Sequence, residues 1–245
     1  MIRIVLFDVD GTLVRAGGAG RRAFVLALKD VLGGKADDTG IDFAGRTDLA
    51  IMRGLLELHG ISDPEGRLRR QVLDRYLHHL DAELARGNSF QLCPGIPELL
   101  ASLQKDPEFL LGLLTGNVEP AARRKLAHLG IDAAFRFGAY GSDDEDRDQL
   151  VPVARRRAIL LAGRAAEDAA IVIVGDTPHD VRCARAGGAA VLAVATGIFD
   201  APTLARCQPD ALLHDLSRTA EVLTVLRRLS DPHHPPGDAT PRTGG

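Results

Sequence analysis

The stretch Ile2-Arg3-Ile4-Val5-Leu6-Phe7-Asp8-Val9-Asp10-Gly11-Thr12 decides how the rest of the chain reads. Its first six residues are apolar except for Arg3, too short a run to cross a membrane and without a small-residue cleavage site, so they read as a buried strand. A strand without polar alternation suits a parallel sheet covered by helices on both faces. Two aspartates at spacing i, i+2 follow at once, and their carboxylates leave the same side of an extended backbone. Gly11 lets the chain turn sharply, and Thr12 can hydrogen-bond the turn. In doubly wound sheets ligands gather beyond the carboxyl ends of strands, where Asp8 and Asp10 project. One carboxylate can attack while its neighbour handles protons. Taken alone, the stretch equally fits a strand-to-turn junction that favours Asp and Gly.

Working outward, short apolar runs recur at 109–114, 170–174 and 191–195, with a weaker one at 211–213. Helix-like stretches lie between them at 95–105, 119–129, 150–161 and 181–186, the alternation of an α/β doubly wound parallel sheet. Residues 15–90 break this rhythm. There Leu49, Met52 and Leu56, and then Leu68, Val72, Tyr76, Leu80 and Leu84, recur at helical spacing with no convincing strand, which predicts an inserted all-α unit whose stripes are packing. The expected division is therefore a core of residues 1–14 and 91–229, a helical insertion at 15–90, and a Pro/Gly/His-rich tail at 230–245 expected to be disordered. His233 and His234 fall in that tail and are read as solvated.

Two more strand ends carry polar residues. The run ending at Leu114 continues Thr115-Gly116-Asn117 ahead of a helix, an arrangement that supplies oriented N–H donors for a phosphate oxygen, or a simple helix cap. The run ending at Val174 continues Gly175-Asp176-Thr177-Pro178-His179-Asp180. Pro178 suits a first helical turn, so Asp180 is expected near the helix start and close to Asp176. Asp8, Asp176 and Asp180 would make a hard oxygen cluster suited to magnesium, although an acidic helix start also serves capping.

Composition narrows the classes of function. A net charge of −3 across 245 residues gives no general attraction to nucleic acid or anionic membrane. The basic clusters 123–125 and 155–157 lie in helix-like segments and are read as solvated faces. Cys93, Cys183 and Cys207 are odd in number and widely spaced, which predicts neither disulfides nor a zinc site and fits a reducing cytoplasm.

Together, Asp8-Val9-Asp10-Gly11-Thr12, Thr115-Gly116-Asn117, the acidic turn at 175–180 and the helical insertion after the first motif resemble the haloacid dehalogenase superfamily, over roughly residues 1–228. The similarity is nearest to its phosphoglycolate-phosphatase-like branch, and the insertion resembles that branch's cap. This resemblance implies a magnesium-dependent phosphatase acting on a small phosphorylated metabolite, phosphoglycolate-like or a sugar phosphate, through a phospho-aspartyl intermediate on Asp8. It implies Asp10 as acid and base with its backbone carbonyl facing the metal, Thr115, Gly116 and Asn117 holding the phosphoryl group, and Asp8, Asp10, Asp176 and Asp180 around Mg2+.

The superfamily usually supplies a lysine between the second and the acidic motif. The four lysines are Lys29, Lys35, Lys105 and Lys125, and none falls in that segment. Arg147 stands there and can balance Asp8 and phosphate, with Lys125 as a less well placed substitute and a solvated acidic loop as the alternative. Arg46, in a glycine-containing turn of the insertion, either meets an anionic substrate or pairs with Asp48. The remaining histidines, His179 among them, need no catalytic role. Competing readings are a phosphotransferase or phosphomutase of the β-phosphoglucomutase kind, and a non-catalytic phosphate-binding regulatory protein. A monomer or homodimer with no nucleic-acid or membrane partner is expected.

Overall fold

The computed structural model describes residues 2–33, 38–86 and 90–231. The tail from residue 232 on, with its two histidines, lies outside them, as does Lys35. Six strands form one parallel sheet: β1 (Arg3–Phe7), β4 (Phe109–Thr115), β5 (Phe137–Tyr140), β6 (Ile171–Gly175), β7 (Ala190–Val194) and β8 (Ala211–Leu213), in the order β5-β4-β1-β6-β7-β8. The strand-period pattern of β1 explains its central place. Val5 and Phe7 enter one apolar cluster, Ile4 and Leu6 the opposite one, so both faces are covered. Burying a side chain of this size is worth about 1.5–3 kcal/mol, which fixes the strand where both faces find partners.

Helices α4 (Ile96–Lys105), α5 (Glu119–His128) and α9 (Thr219–Leu229) contribute to the first cluster, while α6 (Leu150–Ala162) and α7 (Pro178–Ala186) contribute to the second. The short α8 (Ala201–Arg206) links β7 to β8. Ser230, placed in the disordered tail by the sequence, is instead buried and donates to the Leu226 carbonyl at 2.6 Å, closing α9. All three cysteines are free. Among the described residues, no helix is long and apolar enough to cross a membrane.

Between β1 and α4, the strands β2 (Val14–Arg15) and β3 (Gln91–Leu92) pair antiparallel and bracket three helices, α1 (Ala19–Leu32), α2 (Asp48–Leu58) and α3 (Arg67–Ala85). The predicted apolar stripes become the buried sides of α2 and α3, with Leu49 and Leu68 only partly buried. Phe24 of α1 stacks on Tyr76 of α3 with ring centroids 4.1 Å apart. The reading of 123–125 as a solvated face fails at its last member. Lys125 is 2% exposed, because α5 turns it inward alongside Ala121, Ala122 and Leu126.

Candidate active site

Register alone brings the three motifs together. Phe7 of β1 lies opposite Leu113 of β4 and Val174 of β6. Two residues further along each neighbouring strand stand Thr115 and Asp176, flanking Asp8. Asp8 N–H donates to the Val174 carbonyl at 2.9 Å, extending the ladder by one residue. The chain then folds back tightly, with Gly11 N–H on the Val14 carbonyl at 2.8 Å. Gly11 has φ 87°, and a β-carbon there would lie 2.2 Å from an Asp176 oxygen, so both the turn and the neighbouring carboxylate require glycine. Thr12 does more than support its own turn, since its hydroxyl donates to Asp176 Oδ1 at 2.9 Å.

Asp8, Asp176 and Asp180 are all buried and can bring one oxygen each within 4.8 Å of the others. Burial pushes the Asp8 carboxyl up to about 7; Arg147 opposes this, while Asp180 and Asp10 add to it. Asp176 is raised well above the usual carboxylate range by burial and by Asp8 and Asp180. A hard all-oxygen set with more negative charge than its cations balance fits Mg2+. Asp180 is the most committed of the three. Its Oδ2 accepts from Thr177 N–H at 3.0 Å and Thr177 hydroxyl at 2.7 Å in a capping box, while its Oδ1 accepts from Arg147. Asp180 is thus at once the cap of α7 and a member of the carboxylate cluster.

Arg147 reaches the site from the loop after β5. Its Nη2 lies 3.1 Å from Asp8 Oδ1 and also bonds Asp180, while its Nη1 donates to the Gly45 carbonyl at 2.9 Å. It is 3% exposed, so the solvated-loop alternative does not apply to it. Burial disfavours its charge, but Asp180 and Asp8 outweigh that and hold the guanidinium ionised. Lys125 occupies a different place from the one expected of a substitute. Its Nζ lies 2.6 Å from Asp10 Oδ2 and 2.6 Å from Asn117 Oδ1. Asn117 Nδ2 in turn donates to Asp10 Oδ2 at 2.8 Å and to the Thr115 hydroxyl oxygen at 2.9 Å.

The insertion enters this site through the turn before α2. Asp48 N–H donates to the Gly116 carbonyl at 2.7 Å, its carboxylate accepts from Val118 N–H at 2.8 Å, and Thr47 hydroxyl donates to the Glu145 carbonyl at 2.6 Å. Burial drives the Asp48 carboxyl up to about 7 against the pull of Lys125. Arg46 does not pair with Asp48. Its Nη2 reaches the Ala50 carbonyl at 3.4 Å, and the residue lines a cavity of about 590 Å3 shared with Asp8, Asp10, Thr115, Lys125 and Arg147. His179 has its pKa lowered by burial and by Arg182 and Arg147. The sequence reading missed Asp48 and the Lys125 contact with Asp10. The only signal for either was a charged residue at a helix position where its neighbours are apolar.

A model of the haloacid dehalogenase-like hydrolases matches residues 2–188. The chain belongs to this family. Within it, the phosphoglycolate phosphatase of Synechococcus elongatus is 29% identical over 236 residues, covering 93% of this chain and all of that protein. Tyrosine-protein kinase PtkA of Mycobacterium tuberculosis is 30% identical over 212 residues, 86% of this chain and 68% of its own length. The fold matches the crystal structure of a predicted phosphoglycolate phosphatase from Haemophilus somnus with a TM-score of 0.65 at 20% identity, covering 91% and 98% of the two chains. The chain is thus a haloacid dehalogenase-like hydrolase, similar over nearly its whole length to a phosphoglycolate phosphatase.

Proposed function

We propose that the protein hydrolyses a small phosphorylated metabolite, phosphoglycolate-like or a sugar phosphate, through a phospho-Asp8 intermediate and with magnesium. The observation that carries this reading is the separate environment of two carboxylates only two residues apart. Asp8 lies against Arg147, Asp176 and Asp180, while Asp10 lies against Lys125 and Asn117. Distinct surroundings are how one site assigns nucleophile and proton carrier to chemically identical groups.

Asp8 attacks phosphorus as the ester P–O bond breaks, and Asp10 passes a proton to the departing oxygen. Asp10, now a carboxylate, takes a proton from water as the water oxygen attacks phosphorus. The Asp8–phosphorus bond breaks, and phosphate leaves with Asp8 restored. Thr115 accepts from Asn117, so its own hydroxyl proton is available for a phosphoryl oxygen. Arg147 balances Asp8 and Asp180 while the phosphoryl group arrives. Asp8, Asp176 and the Asp10 carbonyl would hold Mg2+, with Asp180 behind them. The ion, when bound, supplies positive charge beside the phosphoryl oxygens.

In this reading residues 15–90 serve as the cap, and Arg46, which lines the cavity, meets the anionic substrate. The free cysteines suit a cytoplasmic setting, and a monomer or homodimer needs no nucleic-acid or membrane partner. The test is phosphate release from a panel of phosphorylated metabolites, phosphotyrosine included, with and without magnesium, for the wild type and Asp8→Asn. Magnesium-dependent release that is lost in Asp8→Asn supports the reading. Turnover between sugar phosphates without phosphate release would replace it with a mutase, and no turnover at all would replace it with a phosphate-binding protein.

A further inference from the structure

We infer that Lys125 is the positioning residue of Asp10, and that Asp48 ties this positioning to the seating of the insertion on the core. The inference rests on the reading of Asp10 as the proton carrier. Lys125 is buried on α5, where a lone ammonium would be costly, so its partners are fixed by necessity. Two of them are Asp10 Oδ2 and Asn117 Oδ1, each at 2.6 Å.

Asn117 closes the triangle by donating to the same Asp10 oxygen. Both donors fall on Oδ2, so the carboxylate is clamped through one oxygen and Oδ1 is left to exchange the proton. The side chain of Asp10 is 41% exposed. Without that clamp it would have freedom to rotate into the cavity, and misplacement of a reacting group by about 1 Å costs on the order of a hundredfold in rate.

The third side of Lys125 faces the insertion. A β-carbon on Gly20 of α1 would lie 3.5 Å from its Nζ. Asp48 lines the same cavity as Lys125, and its backbone and carboxyl group both lock onto the loop after β4, at Gly116 and Val118. The two glycines of this junction leave no slack. A β-carbon on Gly116 would lie 2.1 Å from the Arg46 carbonyl oxygen, and one on Gly141 would lie 2.0 Å from the Gly116 oxygen. The 45–48 turn, seated there, brings Asp48 to the wall of the cavity that Lys125 also lines. Both bonds of the clamp come from the core, Lys125 on α5 and Asn117 on the loop after β4, and that same loop is what Asp48 holds on either side of Asn117, at Gly116 and Val118.

The experiment uses the difference between leaving groups. p-Nitrophenolate departs without needing a proton, whereas an alkoxide needs one, and kcat/KM reports the steps through leaving-group departure. Measured on p-nitrophenyl phosphate and on the alkyl phosphate turned over fastest in the panel, Asp10→Asn should lose far more activity on the alkyl ester. Lys125→Met should show the same selectivity, with at least a tenfold greater loss on the alkyl than on the aryl ester. Lys125→Arg should recover part of it. Asp48→Asn, which keeps an acceptor for Val118 N–H, should show the same pattern at smaller size. If Asp10→Asn lowers both substrates equally, the proton-carrier reading falls. If Asp10→Asn discriminates but folded Lys125→Met and Asp48→Asn lower both substrates equally, the positioning role falls and both residues are structural.

Discussion

At Asp8, burial and neighbouring carboxylates raise the pKa to about 7, while Arg147 and a hydrogen bond from the Val9 backbone pull the other way. Asp8→Asn should therefore abolish turnover, by at least about a thousandfold, and also stabilise the magnesium-free protein at pH 7.5. Each kcal/mol of relieved repulsion is worth roughly 2–4 °C in Tm for a chain of this size, and a melting curve unchanged or lowered would count against the charge imbalance. Arg147→Met has the opposite sign. It leaves Asp8 and Asp180 buried without their cation and should cost about 3–5 kcal/mol, read as a lowered denaturant midpoint at unchanged slope. Arg147→Lys should recover only part of this, since a lysine cannot reach Asp8, Asp180 and the Gly45 carbonyl together. Asp8, Asp10 and Asp176 were legible because they stand just beyond apolar runs, and Asp180 because Pro178 marks the helix start before it. Lys125 and Asp48 were not, because what buries them is the approach of α5 and the 45–48 turn, contacts between segments far apart in the chain.

The elements whose apolar pattern is continuous, β1, β4, β6 and β7, were readable to within a residue or two at each end. β5 was missed because Phe137-Gly138-Ala139-Tyr140 is short and contains a glycine. α1 was missed because it starts at Gly17-Gly18-Ala19-Gly20, where helix propensity is poor. It forms nonetheless because Phe24, Ala27 and Leu28 gain burial against α3. At the level of loops, the close approaches set by glycine give a sharp prediction. A β-carbon at Gly197 would lie 1.7 Å from Asp176 Oδ2, so Gly197→Ala must displace that carboxylate. Its magnesium requirement, read as the metal concentration giving half-maximal turnover, should rise at least tenfold, while the far-UV spectrum stays that of the wild type. An unchanged magnesium dependence would show that Asp176 is not a ligand.

For the molecule as a whole, Asp8 and Asp48 each have a folded-state pKa near 7, and Asp176 is raised as well. The folded state thus holds protons that the unfolded chain releases above about pH 4. Their contribution to stability is present below that pH and is lost as pH rises through about 7. In EDTA, Tm should fall between pH 5 and pH 8, and excess magnesium should restore more of it at pH 8 than at pH 5. A flat profile in EDTA would show that these carboxylates are not held protonated. For a chain emerging from the ribosome, the order β5-β4-β1-β6-β7-β8 also spreads the site over time. Asp8 is synthesised well before Thr115, and Thr115 well before Asp176, yet they meet only at the tips of adjacent strands. β1 has neither neighbour until β4 and then β6 are made, so a partial chain has Asp8 and Asp10 without Asp176 beside them and carries no assembled site. The enzyme becomes able to react at nearly the same moment as it becomes whole.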